Sequence, residues 1–377
     1  MELGFLSPLF QQPGPWASVY LPPATATEDA VKQHELTVRS VCDDLAARGA
    51  DRDTCEALRQ RLAGARADRA PGVAAFAAGG RVVLDLPLPT APGRPSAHWA
   101  ALPHTSPLLE LMDDTPPCLI ALVDRTGADF RLDAGTGSRP AGSVEGEDWP
   151  VHRTASASWS ERHFQNSVEN TWEQNATGIA RALHEAFTDS GAGAVVLAGD
   201  PRERREVYDK LPEEVRAVTV ETEHGGRAPG SGTPRLDEEV ERTRHRLRGR
   251  RTEEILDRYR TGLGLHGERA AAVSGVPALV EAAQSHRIAA LLISPHGSDL
   301  EREVWVGPDP DQLSTRRSDL QYLGETSPSP APAGDALLRS AAVTGAEVLT
   351  VPEVREAPEG GLGALLRGTA PVSAQAR

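Results

Sequence analysis

Seven apolar residues, Phe164, Val168, Trp172, Ala176, Ile179, Leu183 and Phe187, follow one another at steps of four, four, four, three, four and four. Only a helix places such a series on one continuous face. Ser158 stands three residues before Glu161, the spacing at which a capping serine and a glutamate satisfy each other's backbone donors. The helix is therefore expected from near Trp159 to near Asp189, ahead of Gly191. At 1.5 Å per residue it spans roughly 45 Å. Its start lies inside the most aromatic part of a chain that is only 4% aromatic: residues 149–174 hold three of the six tryptophans. The exposed part is a tip of about ten residues, 149–158, carrying Trp149, His152, Arg153 and Ser158, with Trp159, Arg162 and His163 on the first turn behind it. Sites sit on loops held by rigid elements, so function is expected here.

The rest of the chain is read as its support. At 377 residues it is too long for one ordinary core, and three domains are expected, over 1–114, 115–235 and 236–377. A hydrophobic content of 39% and a charged content of 25% suit globular domains. Cys42, Cys55 and Cys118 are odd in number and share no C-x-x-C spacing, which points to buried free thiols. No apolar run reaches the roughly 20 residues that a bilayer crossing needs, and the expected location is the cytoplasm, with no membrane partner. A net charge of −14 disfavours broad binding to nucleic acid, and no DNA partner is expected. RNA contact has to be local, at the tip or at the run RTRHRLRGRR, which carries Arg242, Arg244, Arg246, Arg248, Arg250 and Arg251.

The fold class is mixed α/β. WASVYL, residues 16–21, is a strand stopped by two prolines. Val31, Leu36, Val38, Val41, Leu45, Leu58 and Leu62 describe a helical hairpin broken at Gly49, and Gly79-Gly80 turns a strand hairpin. Residues 98–114 read as a connector with a short helix. Residues 118–135 form a second strand hairpin, 136–148 a polar glycine-rich loop, and 191–200 a buried strand. A helix over 200–211, a strand over 215–220 and a linker over 224–234 follow. The last part opens with a charged helix from Leu236 to about Gly262. It then alternates a helix over 276–286, strands at 288–293 and near Val304, a helix over 335–343 and a strand in AEVLTVP, with 309–332 as a mobile surface loop.

Standard catalytic signatures are missing. His184 and Glu185 lack the second histidine of H-E-x-x-H, and there is no G-x-S-x-G elbow or strand-following G-x-G-x-x-G. The glycines of 224–234 lack the GK[ST] ending of a phosphate loop. Glu145 to Asp148 read as a solvated loop, and His152 and His163 have no third partner at ligand spacing, so neither metal nor cofactor is expected. Flat aromatics stack on bases while Arg and His reach phosphates, which suits Trp149, His152, Arg153 and Trp159 to contact with RNA or a partner. The arginine run interleaves with Glu239, Glu241, Glu253 and Glu254; a salt-bridged solvated face is the simpler reading, and an RNA or partner patch the other.

Seven segments in order resemble the archaeo-eukaryotic release factor and Pelota superfamily, in its bacterial branch of the actinobacterial family 2 type. WASVYLPP and GVAAFAAGGRVVLDLPLP resemble its N-terminal domain. CLIALVDRTGADFRLDAG, the loop, the long helix and GAGAVVLAGD resemble its middle domain. GVPALVEAAQSHRIAALLI, GDALLRSAAVTGAEVLTV and GLGALLR resemble its C-terminal domain, whose fold is similar to ribosomal protein L7Ae. Release factors carry Gly-Gly-Gln in the loop ahead of the long helix, where it helps water attack the peptidyl-tRNA ester. Here that position reads WPVHRTASAS, and Gln165 and Gln174 fall inside the helix. The stop-codon-reading Asn-Ile-Lys-Ser motif is also missing from the helical hairpin, whose turn reads AARGADRD.

The resemblance therefore implies the hibernation or rescue members of the superfamily, Balon among them: a non-catalytic factor that binds the ribosomal A site during stress or stalling. Its implied partners are rRNA near the peptidyl-transferase centre, reached by the tip, and elongation factor Tu, met by the C-terminal domain. Two alternatives stay open, a peptidyl-tRNA hydrolase with divergent loop chemistry through His152 or Arg153, and an acidic stress adaptor with protein partners only.

Overall fold

In the computed structural model, the described residues are all except 2, 23–27, 65–69, 113, 135–136, 147–159, 229–233, 266–269, 323, 352–355 and 368–377. For residues 28 and 160–171 only the backbone is described. The chain divides into two compact units, Met1–Asp113 with Thr252–Arg377, and Asp114–Arg251.

The all-apolar look of β1 (Trp16–Leu21) follows from burial on both faces. Ala17, Val19 and Leu21 face one cluster, and Trp16 and Tyr20 face another. The first cluster is covered by α1 (Glu28–Ala47) and α2 (Arg52–Ala63). The buried positions of α1 include His34, Val38, Val41, Cys42 and Leu45, while Val31 and Leu36 are exposed. His34 occupies the apolar stripe because its Nε2 meets the Leu62 carbonyl at 3.0 Å, an interaction that hydropathy alone does not register. Asp51 caps α2, accepting from Thr54 N at 2.8 Å. β2 (Gly72–Ala78) and β3 (Arg81–Leu88) are joined at Gly79 and Gly80, whose φ values of 56° and 75° are those that a tight hairpin turn demands. β4 (Ser96–Ala100) completes an antiparallel sheet in the order β3-β2-β1-β4, and α3 (Leu108–Leu111) follows. Residues 98–100, read from sequence as connector, thus belong to a strand: it pairs with β1 at the sheet edge and is only partly covered, which leaves little apolar alternation to detect.

The second unit is built on β5 (Cys118–Asp124), β6 (Gly127–Asp133) and β7 (Ser138–Glu145), an antiparallel meander. α4 (Ser160–Ser190), β8 (Ala194–Ala198), α5 (Pro201–Lys210), α6 (Glu213–Arg216), β9 (Thr219–Thr222) and α7 (Pro234–Leu263), which belongs to this unit up to Arg251, follow. The sheet order is β7-β6-β5-β8-β9, with β8 parallel to both β5 and β9. Leu119, Ala121 and Val123 of β5 face α4 and α5, whereas Cys118, Ile120 and Leu122 face Leu236 and Val240 of α7. That two-sided burial makes CLIALVD a continuous apolar run. Two expectations are corrected here. Residues 138–145 are an edge strand, mostly exposed and so without alternation; and Val215 belongs to α6, the strand beginning only at Thr219.

The remaining segment of the first unit holds β10 (Ala272–Ser274), α8 (Val276–Gln284), β11 (Ile288–Ile293), β12 (Glu303–Val306) and β13 (Leu313–Ser314). α9 (Arg317–Tyr322), β14 (Ser329–Pro332), α10 (Ala333–Thr344), β15 (Glu347–Thr350) and β16 (Leu362–Leu366) complete it. β10-β16-β11-β15 form one sheet and β13-β12-β14 a second. The expectation of a structureless loop over 309–332 is corrected: β13, α9 and β14 lie there, and β14 pairs with β12 despite its prolines because it is an edge strand.

One apolar cluster joins the two ends of the chain, containing Trp16, Tyr20, Phe76 and Leu88 together with Leu279, Leu291, Leu337 and Leu338. A polar knot lies beside it. Asp335, 2% exposed at the start of α10, accepts from His104 Nδ1 at 2.7 Å, Thr105 N at 2.8 Å, Ser106 N at 2.9 Å and Ser106 Oγ at 2.8 Å. Ser18 Oγ accepts from His104 N at 2.9 Å, and Tyr20 donates to the His104 carbonyl at 2.6 Å.

Candidate functional site

The loop that carries the tip leaves β7 at Gly146 and returns at Ser160. Trp149, His152, Arg153, Ser158 and Trp159 lie outside the described residues. Arg162 and His163 lie on the first turn of α4, where only the backbone is described. What the structure defines is the root of the loop at the end of β7, and that root is tightly bonded.

The β5–β6 turn is its centre. Asp124 Oδ1 accepts from Thr126 N at 2.7 Å and from Thr126 Oγ1 at 2.8 Å, a side chain mimicking a turn of backbone. Thr126 then receives Gly146 N on its carbonyl at 2.7 Å, tying the end of β7 to the turn. From the other side Asn175 of α4 donates Nδ2 to the Arg125 carbonyl at 3.1 Å. A Cβ on Gly146 would collide with the Asn175 carboxamide, so only glycine lets loop and helix approach this closely. The end of β7 and the middle of α4 are therefore tied to one turn of backbone.

Arg227 locks the turn electrostatically. Its Nη1 donates to Asp124 Oδ1 at 3.0 Å and to Thr126 Oγ1 at 3.1 Å, and its Nε donates to Asp129 Oδ2 at 3.2 Å. Partial burial works against an Asp124 charge, but the Thr126 hydrogen bonds and then Arg227 outweigh it and hold the carboxyl below the usual range. Burial similarly opposes the charge of Arg227, and Asp124 and Asp129 overcome it. Arg125 donates to Glu203 of α5 at 2.8 Å, while burial raises the Glu203 carboxyl. Carboxylates bound this way are committed to structure and are poor proton carriers. Among the described residues, no group of three or more His, Cys, Asp or Glu could hold a metal ion. No helix of the described residues is long and apolar enough to cross a membrane.

The arginine run lies on α7, and acids meet it. Arg242 pairs with Glu239 at 2.8 Å, Arg246 with Glu239 at 3.1 Å and Arg248 with Asp114 at 3.4 Å. Arg244 is buried, with Glu241 at 3.2 Å and Asp133 at 3.7 Å. Arg250 is exposed and Arg251 is half-buried. Positive charge is therefore matched locally along most of the run, the arrangement expected of a salt-bridged face.

Sequence reasoning missed Asn175, Gly146 and Arg227. One signal was available: Asn175 is a polar residue directly beside Ala176 on the apolar stripe of α4, and it is 8% exposed. Arg227 gave none, because its partners are about a hundred residues away in the chain.

Residues 117–265 match the family model for bacterial archaeo-eukaryotic release factor family 2. Two Mycobacterium tuberculosis proteins, uncharacterized protein MT2704 of strain CDC 1551 / Oshkosh and uncharacterized protein Rv2629 of strain ATCC 25618 / H37Rv, are similar over nearly the whole chain. Each is 29% identical over 361 residues, covering 94% of this chain and 93% of its own. Among solved structures, a model of ribosome-bound archaeal Pelota and ABCE1 aligns over 97% of this chain and 94% of that chain, with 14% identity and a TM-score of 0.42. The family match covers the meander, the loop root and the 31-residue α4 together, and over these residues the chain is similar to bacterial archaeo-eukaryotic release factor family 2.

Proposed function

We propose that this protein is a non-catalytic ribosome-associated factor that binds the A site during stress or stalling, in the manner of hibernation or rescue factors. One observation carries the reading: in a release-factor-like middle segment, the loop between β7 and α4 reads WPVHRTASAS at residues 149–158, with neither glycine nor glutamine. Peptide release in the family depends on Gly-Gly-Gln at that place, and Gln165 and Gln174 lie within the bounds of α4. What remains is a loop rich in aromatic and basic groups, suited to stacking on bases and meeting phosphates near the peptidyl-transferase centre. The clamped root supports this reading, because a contact loop needs a fixed point of projection as much as a catalytic one does.

In the same proposal the chain follows the three-part order of release factors, 1–114, 115–235 and 236–377, the last part resembling ribosomal protein L7Ae and meeting elongation factor Tu. The test is co-sedimentation of the full chain with ribosomes from starved or cold-shocked cells, at low salt and with elongation factor Tu present. Binding is expected, and the double variant Trp149→Ala, Arg153→Ala should weaken it, since stacking alone contributes about 1–3 kcal/mol per base. Failure to co-sediment overturns the ribosomal reading. Release of peptide or of tRNA fragments from stalled complexes overturns the non-catalytic one.

A further inference from the structure

The first unit contains a cavity of about 660 Å³, within the range that small-molecule sites occupy. Its wall is mainly apolar and includes Phe10, Trp16, Trp99 and Val306, and no Asp or Glu lines it among the described residues. Four polar side chains interrupt that wall, Arg339 of α10, Gln12 of the N-terminal segment, Ser327 and Ser329, and Arg339 carries its one charge.

Arg339 is 3% exposed and forms no ion pair among the described residues. Its Nη1 donates to the Gly307 carbonyl at 2.9 Å and its Nη2 to the Gln312 carbonyl at 3.5 Å, while Nε is buried with no hydrogen-bond partner. Burial pulls its pKa down to about 10, against the charges of Asp309 and Asp311, and leaves it a cation at neutral pH. Buried guanidinium groups are ordinarily paired, since an uncompensated charge away from water is costly. Gln12 repeats the pattern. Arg81 donates to its Oε1, which fixes the orientation of the amide, and its Nε2 is left as a buried donor without a partner. The unmet hydrogen-bonding capacity at this cavity is thus donor capacity, with one positive charge.

We propose that this cavity is a binding site for a small monocarboxylate with an aromatic or branched apolar body. The carboxylate would take the donors of Arg339 and Gln12, and the body would lie against Phe10, Trp16 and Trp99. A single guanidinium matches the one charge of a monocarboxylate, whereas a phosphate dianion would leave a second negative charge unmatched in a wall with no other cation among the described residues. The site is independent of the tip and of any ribosome contact.

Trp16 and Trp99 make the test direct. The full-length protein is titrated with 4-phenylbutyrate and with the neutral 4-phenylbutanol while tryptophan fluorescence is followed. The carboxylate is expected to saturate the signal and to bind at least about tenfold more tightly than the alcohol, the worth of one charge-assisted hydrogen bond. Gln12→Leu, a change at a half-buried residue, should shrink that preference. Arg339→Lys, which keeps the charge but removes the fork and Nε, should shrink it further, and circular dichroism identifies any variant that has unfolded. Equal binding of acid and alcohol, no saturation by either at millimolar concentration, an unchanged preference in folded Gln12→Leu, or tighter binding of phenyl phosphate than of the carboxylate each overturn the assignment.

Discussion

Replacing Asp335 with alanine removes one side chain from α10 and strands the donors contributed by residues 104–106. Three hydrogen bonds, from Thr105 N, Ser106 N and Ser106 Oγ, converge on Oδ1 at 2.8–2.9 Å, and His104 Nδ1 lies 2.7 Å from Oδ2. With Asp335 2% exposed, water cannot substitute without opening the core. Hydrogen bonds to charged groups contribute about 1.5–3 kcal/mol each when measured singly, and they share an acceptor here, so they do not add. Breaking a buried pair costs about 3–5 kcal/mol, and that is the expected loss. Asp335→Asn keeps an acceptor at Oδ1 and should lose less. The control is Asp85→Ala, which removes an exposed pair with Arg61 and should cost under about 1 kcal/mol. Urea unfolding, followed at a tryptophan of the same unit such as Trp305, measures all three.

The pH dependence gives a second arm. Burial raises the Asp335 carboxyl, but His104 and Ser106 outweigh it and the net shift is downward. That contribution is present above the unfolded carboxyl value and is lost as pH falls through the lower folded one. Burial lowers His104, Asp335 outweighs it, and the net shift is upward. Its contribution is complete below the unfolded histidine value and is lost as pH rises through the higher folded one. The gap between wild type and Asp335→Ala should therefore be widest between about pH 4 and about pH 6.5 and narrow on either side. A loss below 1 kcal/mol, or a gap flat in pH, would refute the account of this knot.

Three further outcomes are expected. Gly146→Ala should destabilise the second unit by about 1–3 kcal/mol through overpacking against Asn175, and adding Asn175→Ala should restore part of that loss, a non-additivity read from a double-mutant cycle in urea. Asp51→Ala should cost about 0.5–2 kcal/mol by uncapping α2, measured by thermal or urea unfolding. Burial pushes the Cys42 thiol to about 11 and the Cys118 thiol to about 12, so iodoacetamide at pH 8 should label neither until denaturant is added.

The elements that could be read in advance are those whose side chains repeat a simple period against a single environment. The steps of four and three from Phe164 to Phe187 set α4 to within a residue of Ser160–Ser190, and Gly79-Gly80 set the β2–β3 hairpin, because a turn of positive φ selects glycine locally. β4 and β7 escaped because an edge strand half in water does not alternate cleanly, and the short elements of 309–332 escaped because they are held by pairing to β12 and not by their own composition. His34 escaped for a similar reason: its place in an apolar stripe depends on the Leu62 carbonyl of the next helix.

The candidate site divides along the same line. The tip was found by composition, its tryptophans and arginine standing out against a chain poor in aromatics, and its lack of Gly-Gly-Gln is a property of the letters alone. Its root was not. Asn175 meets Arg125 across fifty positions and Arg227 meets Asp124 across 103. Local periodicity reports how each segment partitions between apolar and aqueous surroundings, so the helices, the central strands and the absence of a release motif are legible in the residues read in order. Which polar groups meet once those segments pack is set by long-range closure of the chain, and so the clamp at Gly146, the core shared by the N-terminal and C-terminal segments and the buried Arg339, whose Nε has no partner among the described residues, emerge in the folded molecule alone.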